Sequence, residues 1–137
     1  MKILNKDFKN IDFFTPNETE ASYYYGKKIS NNNDIKRAAK FFLKKGVKNV
    51  VITLGSKGLY FLNNEQNFFL KAYKLKKKVI DTTGAGDAFN GALAFALSQN
   101  YTIKKSIYFS NKVAAVSTTK EGAANSMPTK KEMSKFD

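Results

Sequence analysis

The sequence predicts an α/β fold built on a mostly parallel sheet, and three observations carry that prediction. Two short apolar runs, over residues 11–14 and 47–54, read as buried strands, the second rich in β-branched side chains (Val50, Val51, Ile52, Thr53). Between them Ile35, Ala38, Ala39, Phe42 and Leu43 recur at helical spacing, with lysines on the other face. A helix between two apolar strands is a βαβ unit. Further on, Ile80-Asp81-Thr82-Thr83-Gly84-Ala85-Gly86-Asp87 reads as the end of a strand, a glycine turn and the start of a helix.

The elements follow in order. The run Ile11-Asp12-Phe13-Phe14 is closed by Thr15-Pro16-Asn17. A short helix over 18–25 stops at Gly26, with Asn17 and Glu18 as favourable N-terminal residues. A polar loop over 30–34 caps the amphipathic helix through Asp34 or a neighbouring Asn, and Gly46 ends it. The strand over 47–54 runs into Gly55-Ser56-Lys57-Gly58, a turn leading to a strand over 59–62. Asn63-Asn64 turns the chain into a strand over 67–71, so this part is a β-hairpin edge. A further strand is expected over 73–80, its imperfectly alternating lysines suiting a sheet edge. The next helix begins near Gly86 and Asp87 and carries Ala88, Phe89, Ala92, Leu93, Phe95, Ala96 and Leu97. After a break at Gln99-Asn100-Tyr101, Ile103, Ile107, Ala114 and Val116 mark another helix to about Thr118. A small-residue loop over 120–128 precedes a last helix over 130–136.

The 137 residues suit one domain, and 42% hydrophobic content with 14% aromatics is enough for a real core. There is no cysteine and no histidine. That excludes a disulfide scaffold, a thiol nucleophile, a Ser-His-Asp triad and any zinc site built on those ligands. No apolar run approaches membrane-spanning length and the N-terminal residues do not form a signal peptide, so no membrane association and a cytoplasmic location are expected. The net charge of +13 raises nucleic acid as a partner. Almost all of the basic residues are lysine, however, with Arg37 the one arginine, and they are scattered except at Lys74, Lys76, Lys77 and Lys78. Sequence-specific readers favour the bidentate arginine fork, so no specific nucleic acid is expected.

The candidate chemistry lies at the glycine turn. The first N–H groups of a helix lack intrahelical partners and carry partial positive charge, which suits phosphate. Asp87 is out of place beside an anion unless it has a task, such as taking a proton from an attacking hydroxyl. Read alone, Asp87 is equally a helix-capping residue and Gly84 and Gly86 an ordinary turn. The stretch does not stand alone. Asp81-Thr82-Thr83-Gly84-Ala85-Gly86-Asp87-Ala88-Phe89-Asn90-Gly91 resembles the C-terminal signature of the ribokinase (PfkB-type) carbohydrate kinases. Thr15-Pro16-Asn17-Glu18-Thr19-Glu20-Ala21 is similar to that family's Asn-x-x-Glu motif, and Thr53-Leu54-Gly55-Ser56-Lys57-Gly58 to its nucleotide-side Thr-Leu-Gly-Ser-x-Gly. Gly122-Ala123-Ala124-Asn125-Ser126-Met127-Pro128 follows in the family's order.

The resemblance implies a ribokinase-like three-layer α/β/α sandwich, of which residues 1–137 are the C-terminal, ATP-binding half. The sugar-binding half and the lid of the family have no counterpart here. It implies phosphoryl transfer from ATP to a sugar hydroxyl, most simply ribose O5, with Asp87 as base and the backbone N–H groups of Gly84, Ala85 and Gly86 as anion hole. Asn17, Thr53, Gly55, Ser56, Gly58 and Asn111 become ATP contacts, Asn111 near the adenine. Glu20 becomes a water-mediated holder of Mg²⁺. K⁺ would be held by the Asp81 side chain, the carbonyls of Thr83, Ser117, Lys120 and Gly122, and Ser126, a set of hard oxygen donors. Read as residues alone, Asn17 and Glu20 are a helix N-terminus, residues 55–58 a turn, and Asn111 a polar residue on a helix face. The partners implied are ATP and a small sugar, with a complementing N-terminal half or a homodimer. Alternative acceptors are fructose, a nucleoside or a phosphosugar, and the alternative class is a non-catalytic basic binding module. A chain without the sugar site is expected to be inactive or weakly active alone.

Overall fold

The computed structural model describes residues 3–76 and 79–119, which form an α/β arrangement. The chain divides into two units, at residues 1–71 and 72–137. Among the described residues no helix is long and apolar enough to cross a membrane.

In the first unit a four-stranded mixed sheet has the order β1-β2-β3-β4: Phe13–Phe14, Asn49–Thr53, Leu59–Leu62 and Asn67–Leu70. β1 and β2 run parallel, with Phe13 beside Asn49 and Phe14 beside Val50. The crossover between them holds α1 (Glu18–Tyr25) and α2 (Asn32–Lys44), as the βαβ pattern predicts. β2, β3 and β4 are antiparallel neighbours, joined by short turns. The expected hairpin edge therefore supplies two of the three pairings among the described residues, and the parallel character rests on β1–β2.

β1 is shorter than its apolar run. The carbonyls of Ile11 and Asp12 still accept the N–H groups of Lys48 and Asn49, so pairing fades rather than stops. Asn31, not Asp34, caps α2, its Oδ1 accepting the Asp34 N–H at 2.9 Å. The C-cap is Lys45, and Gly46 follows at φ +108°. A Cβ at Gly46 would lie 2.6 Å from the Lys9 Cα, so close approach as well as backbone conformation requires glycine there. Lys9 belongs to a 3-10 helix, Asn5–Asn10, that inserts Phe8 into the core against Phe14 and Phe42. Sequence periodicity gives no sign of so short an element.

In the second unit the strand expected over 73–80 is absent among the described residues. Val79 and Ile80 are 55% and 62% exposed, and the N–H groups of Ile80 and Asp81 turn to the end of a helix rather than to a neighbouring strand. α3 (Ala85–Ser98) and α4 (Ile103–Ser117) pack along each other, Ala88 and Ala92 against Val113 and Val116. Buried Ser106, Ser110 and Ser117 keep that face of α4 slim. The expected helix over 130–136 lies outside the described residues.

Candidate active-site turn and nucleotide edge

α3 starts one or two residues earlier than the sequence predicts, with Gly84 as its N-cap. Gly84 sits at φ +81°, ψ 3°, a left-handed conformation in which glycine has no steric penalty. A glycine N-cap offers no side chain, and no capping bond is made. The Ala85 N–H turns back to the Thr82 carbonyl at 3.2 Å, and the Gly84 carbonyl accepts the Ala88 N–H at 2.9 Å. Helix geometry gives the N–H groups of Gly86 and Asp87 no intrahelical acceptor, so they face outward at the positive end of the dipole. A Cβ at Gly86 would meet nothing within 4 Å, so the open side of this turn admits a close ligand. Burial of Ala88, Phe89, Ala92, Leu93 and Ala96 fixes the rotation of α3 and leaves Gly86, Asp87 and Asn90 exposed. Asp87 is thus an accessible carboxylate in the first turn of a helix with an open N-terminus.

Asp81 opens the turn. Its Oδ1 accepts the Thr83 N–H at 2.8 Å, and its own N–H donates to the Thr118 carbonyl at 3.1 Å. The turn is therefore fastened to the carboxyl end of α4, where carbonyls concentrate partial negative charge. Hydroxyls fold back over that end: Ser117 Oγ donates to the Ala114 carbonyl at 2.7 Å, Thr118 Oγ1 to Ala115 at 2.6 Å and Thr119 Oγ1 to Val116 at 2.8 Å. Three of the residues assigned to a cation, Asp81, Thr83 and Ser117, accordingly lie on segments joined by hydrogen bonds. Lys120, Gly122 and Ser126 lie outside the described residues. Asn111 is half-buried on α4, on the turns preceding Ser117.

The other candidates lie in the first unit, at the carboxyl edge of the parallel pair. Asn17 bridges to Thr53, and the Pro16 carbonyl accepts the Thr53 N–H at 2.9 Å. Just beyond Thr53 a 3-10 turn, Gly55–Lys57, exposes Gly55 and Ser56. It closes on itself, the Gly58 carbonyl accepting the Leu54 N–H at 2.8 Å. Gly58, at φ +101° and ψ −127°, is buried and holds a conformation open to glycine. Asn17 and Glu20 form a capping box: Asn17 Oδ1 accepts the Glu20 N–H at 2.8 Å, and Glu20 Oε2 accepts the Asn17 N–H at 3.0 Å. The structure thus gives both residues the helix-start task that the residues alone imply. The carboxyl edge of a parallel pair in an α/β sheet is also where ligands bind.

Two contributors escaped the sequence reading. The Thr118 carbonyl acts through its backbone, which residue type does not reveal. Asn49 is buried at the head of β2, donating to the Asp12 carbonyl at 3.0 Å and accepting from Asn63 Nδ2 at 3.1 Å. An amide opening an apolar run was the available signal.

Comparison with known proteins decides the family. The model of the pfkB family carbohydrate kinases matches residues 4–130. The chain belongs to that family. It is 39% identical over 126 residues to a ribokinase of Haemophilus influenzae, covering 92% of this chain and 40% of that protein. It is 40% identical over 124 residues to a ribokinase of Staphylococcus aureus, with 90% and 40% covered. The solved structure of Arabidopsis thaliana ribokinase complexed with ribose and ATP superposes with a TM-score of 0.90 at 33% identity, covering 98% of this chain and 43% of that one. The chain spans about 40% of the length of the curated relatives it matches.

Proposed function

We propose that this chain is the nucleotide-binding and catalytic-base part of an ATP-dependent sugar kinase that converts ribose to ribose 5-phosphate. The observation that carries the reading is the uncapped start of α3, with left-handed Gly84 before it and exposed Asp87 in its first turn. The sugar is chosen on the ribokinase relatives, each about 40% identical. Asp87 accepts the proton of the sugar's primary hydroxyl as its oxygen attacks the terminal phosphorus of ATP. The outward N–H groups at Gly86 and Asp87, with those of Gly84 and Ala85, stabilise charge on the transferring group. The Ala85 N–H is the one that must first leave the Thr82 carbonyl.

Asn17, Thr53, Gly55, Ser56 and Gly58 are the nucleotide contacts on the sheet edge, and Asn111 is the adenine contact on α4. Glu20 would hold Mg²⁺, which when bound would supply positive charge to offset that of the ATP phosphates. Among the described residues no three carboxylates converge. One carboxylate plus phosphates and waters is a normal set for this ion. Asp81, Thr83 and Ser117 offer the oxygen donors that suit K⁺, and the negative end of α4 supports a cation there. The sugar contacts lie outside these residues, in a longer polypeptide, a complementing chain or a dimeric partner.

The test has two parts. The folded chain should bind Mg-ATP weakly, and no binding at millimolar nucleotide would sink the reading. In the enzyme completed by a sugar-binding half, Asp87→Asn should lower kcat by about 10²–10⁴-fold and leave the KM for ATP nearly unchanged. Turnover near the unmodified level would remove Asp87 from the role of base.

A further inference from the structure

We infer that the carboxyl end of α4 is the positioning element of the reacting turn, with the Thr118 carbonyl as a latch that fixes the Asp81–Gly84 backbone and through it the start of α3. The inference rests on the functional reading of that turn. Three observations support it.

Val79 and Ile80 are largely exposed, and no strand includes them. Among the described residues the segment before the turn bonds twice to one acceptor: the N–H groups of Ile80 and Asp81 both donate to the Thr118 carbonyl, at 2.8 and 3.1 Å. A carbonyl has two lone pairs, and here both are used.

The acceptor is itself held. The N–H groups of Thr118 and Thr119 donate to Ala115 and Val116, each at 3.1 Å, and the three consecutive hydroxyls of Ser117, Thr118 and Thr119 close over the same last turn. Val116 and Ser117, immediately before the latch, are buried. Carbonyls that would otherwise fray into water are tied down by side chains, so the latch carbonyl is presented on a fixed base.

From the latch the bonding continues without a gap into α3. The Asp81 carboxylate takes the Thr83 N–H, the Thr82 carbonyl takes the Ala85 N–H and the Gly84 carbonyl takes the Ala88 N–H. The start of α3 and the end of α4 are thereby set against each other by hydrogen bonds through the turn. A phosphoryl acceptor site needs its donors held within a fraction of an ångström, and this chain of bonds is the device that holds them. Thr118 and its hydroxyl neighbours are positioning residues, acting through the turn rather than on substrate.

The test uses amide hydrogen exchange and nucleotide titration on the full 137-residue chain. The Ile80 and Asp81 amides should exchange at least about tenfold more slowly than unstructured reference amides, despite their exposed side chains. Thr118→Gly, which loosens the cap backbone and removes its hydroxyl, should cut that protection several-fold and weaken ATP binding by a similar factor. Amides in the middle of α3 and α4 should be unchanged. Thr118→Ser, which restores the hydroxyl, should recover both properties. Unprotected Ile80 and Asp81 amides in the unmodified chain would overturn the latch, whether or not nucleotide binds. Loss of protection in Thr118→Gly with ATP affinity unchanged would overturn its positioning role. Protected amides in a chain that binds no nucleotide would overturn the functional reading and reduce the latch to a structural clamp.

Discussion

Residues 3–71 set Phe14 edge-on to both Phe8 and Phe42 within the core of a four-stranded sheet unit, whereas residues 72–119 bring Ala88 and Ala92 against Val113 and Val116. The first unit spends large aromatic surface on stability, and its candidate ligand residues sit at the carboxyl ends of β1 and β2 and the start of α1. The second packs small side chains where α3 meets α4, beside buried Phe89, Leu93 and Ile107, and carries the carboxylate assigned to chemistry. Its key turn is tied by hydrogen bonds from the N–H groups of Ile80, Asp81, Thr83 and Ala85. The comparison teaches a division of labour: apolar area holds the platform, and directional bonds hold the reacting groups where they must be precise.

The largest expected effect follows from that contrast. Phe42 is fully buried and touches Phe8, Phe14 and Phe41. Phe42→Ala should cost about 3–5 kcal/mol in urea unfolding of the whole chain, because the ring's transfer energy is lost and a cavity is left. Val116→Ala in the second unit removes two carbons and should cost about 2 kcal/mol. Equal losses would break the comparison, since they would mean that the α3–α4 contact carries as much stability as the aromatic core.

A smaller effect sharpens the reading of the sheet edge. Asn17 caps α1, and Asn17→Ala should cost about 1 kcal/mol through the lost cap. Asn17→Asp keeps a capping oxygen of equal quality, so stability should hold. If Asn17 also faces nucleotide phosphate, the added charge should weaken Mg-ATP binding by about fivefold, the equivalent of roughly 1 kcal/mol of like-charge repulsion in a solvated site. Unchanged affinity in Asn17→Asp would confine Asn17 to its capping role.

The two units also differ in how much could be read before the structure. In the first, α1 falls at Glu18–Tyr25 as the sequence predicts, because Asn17 and Gly26 mark both ends with side-chain and backbone chemistry. β2, β3 and β4 follow from apolar runs separated by glycine and asparagine turns. The inserted Phe8 was not legible, since a six-residue 3-10 helix has no period to detect. In the second unit the glycine turn and Asp87 were legible from residue type. The segment before them is expected to be a strand because an apolar-basic alternation over 73–80 imitates one, and its described residues form none. What decides against a strand is the acceptor that the N–H groups find, and a carbonyl on a distant helix leaves no mark in the sequence. Lys120, Gly122 and Ser126 were assigned by resemblance, and the described residues do not reach them.

The smallest effect concerns pH and again separates the units. Tyr60 on β3 is buried against Phe69, ring centroids 4.5 Å apart, and burial pushes its hydroxyl above the ordinary value of 10.0. The charged form is the one that desolvation penalises. Above pH 10 the unfolded chain therefore releases this proton more readily than the folded one. The folded state binds more protons there, so stability falls as pH rises from about 10 toward the raised folded value, and Tyr60 contributes no such slope at neutral pH. The signal is the difference between two chains. Tyr60→Phe should match the parent within about 1 kcal/mol at neutral pH and lose less stability above pH 10. Parallel stability curves for the two chains through that window would mean that the phenol reaches water, and that the sheet is less dry at β3 than its packing on Phe69 implies.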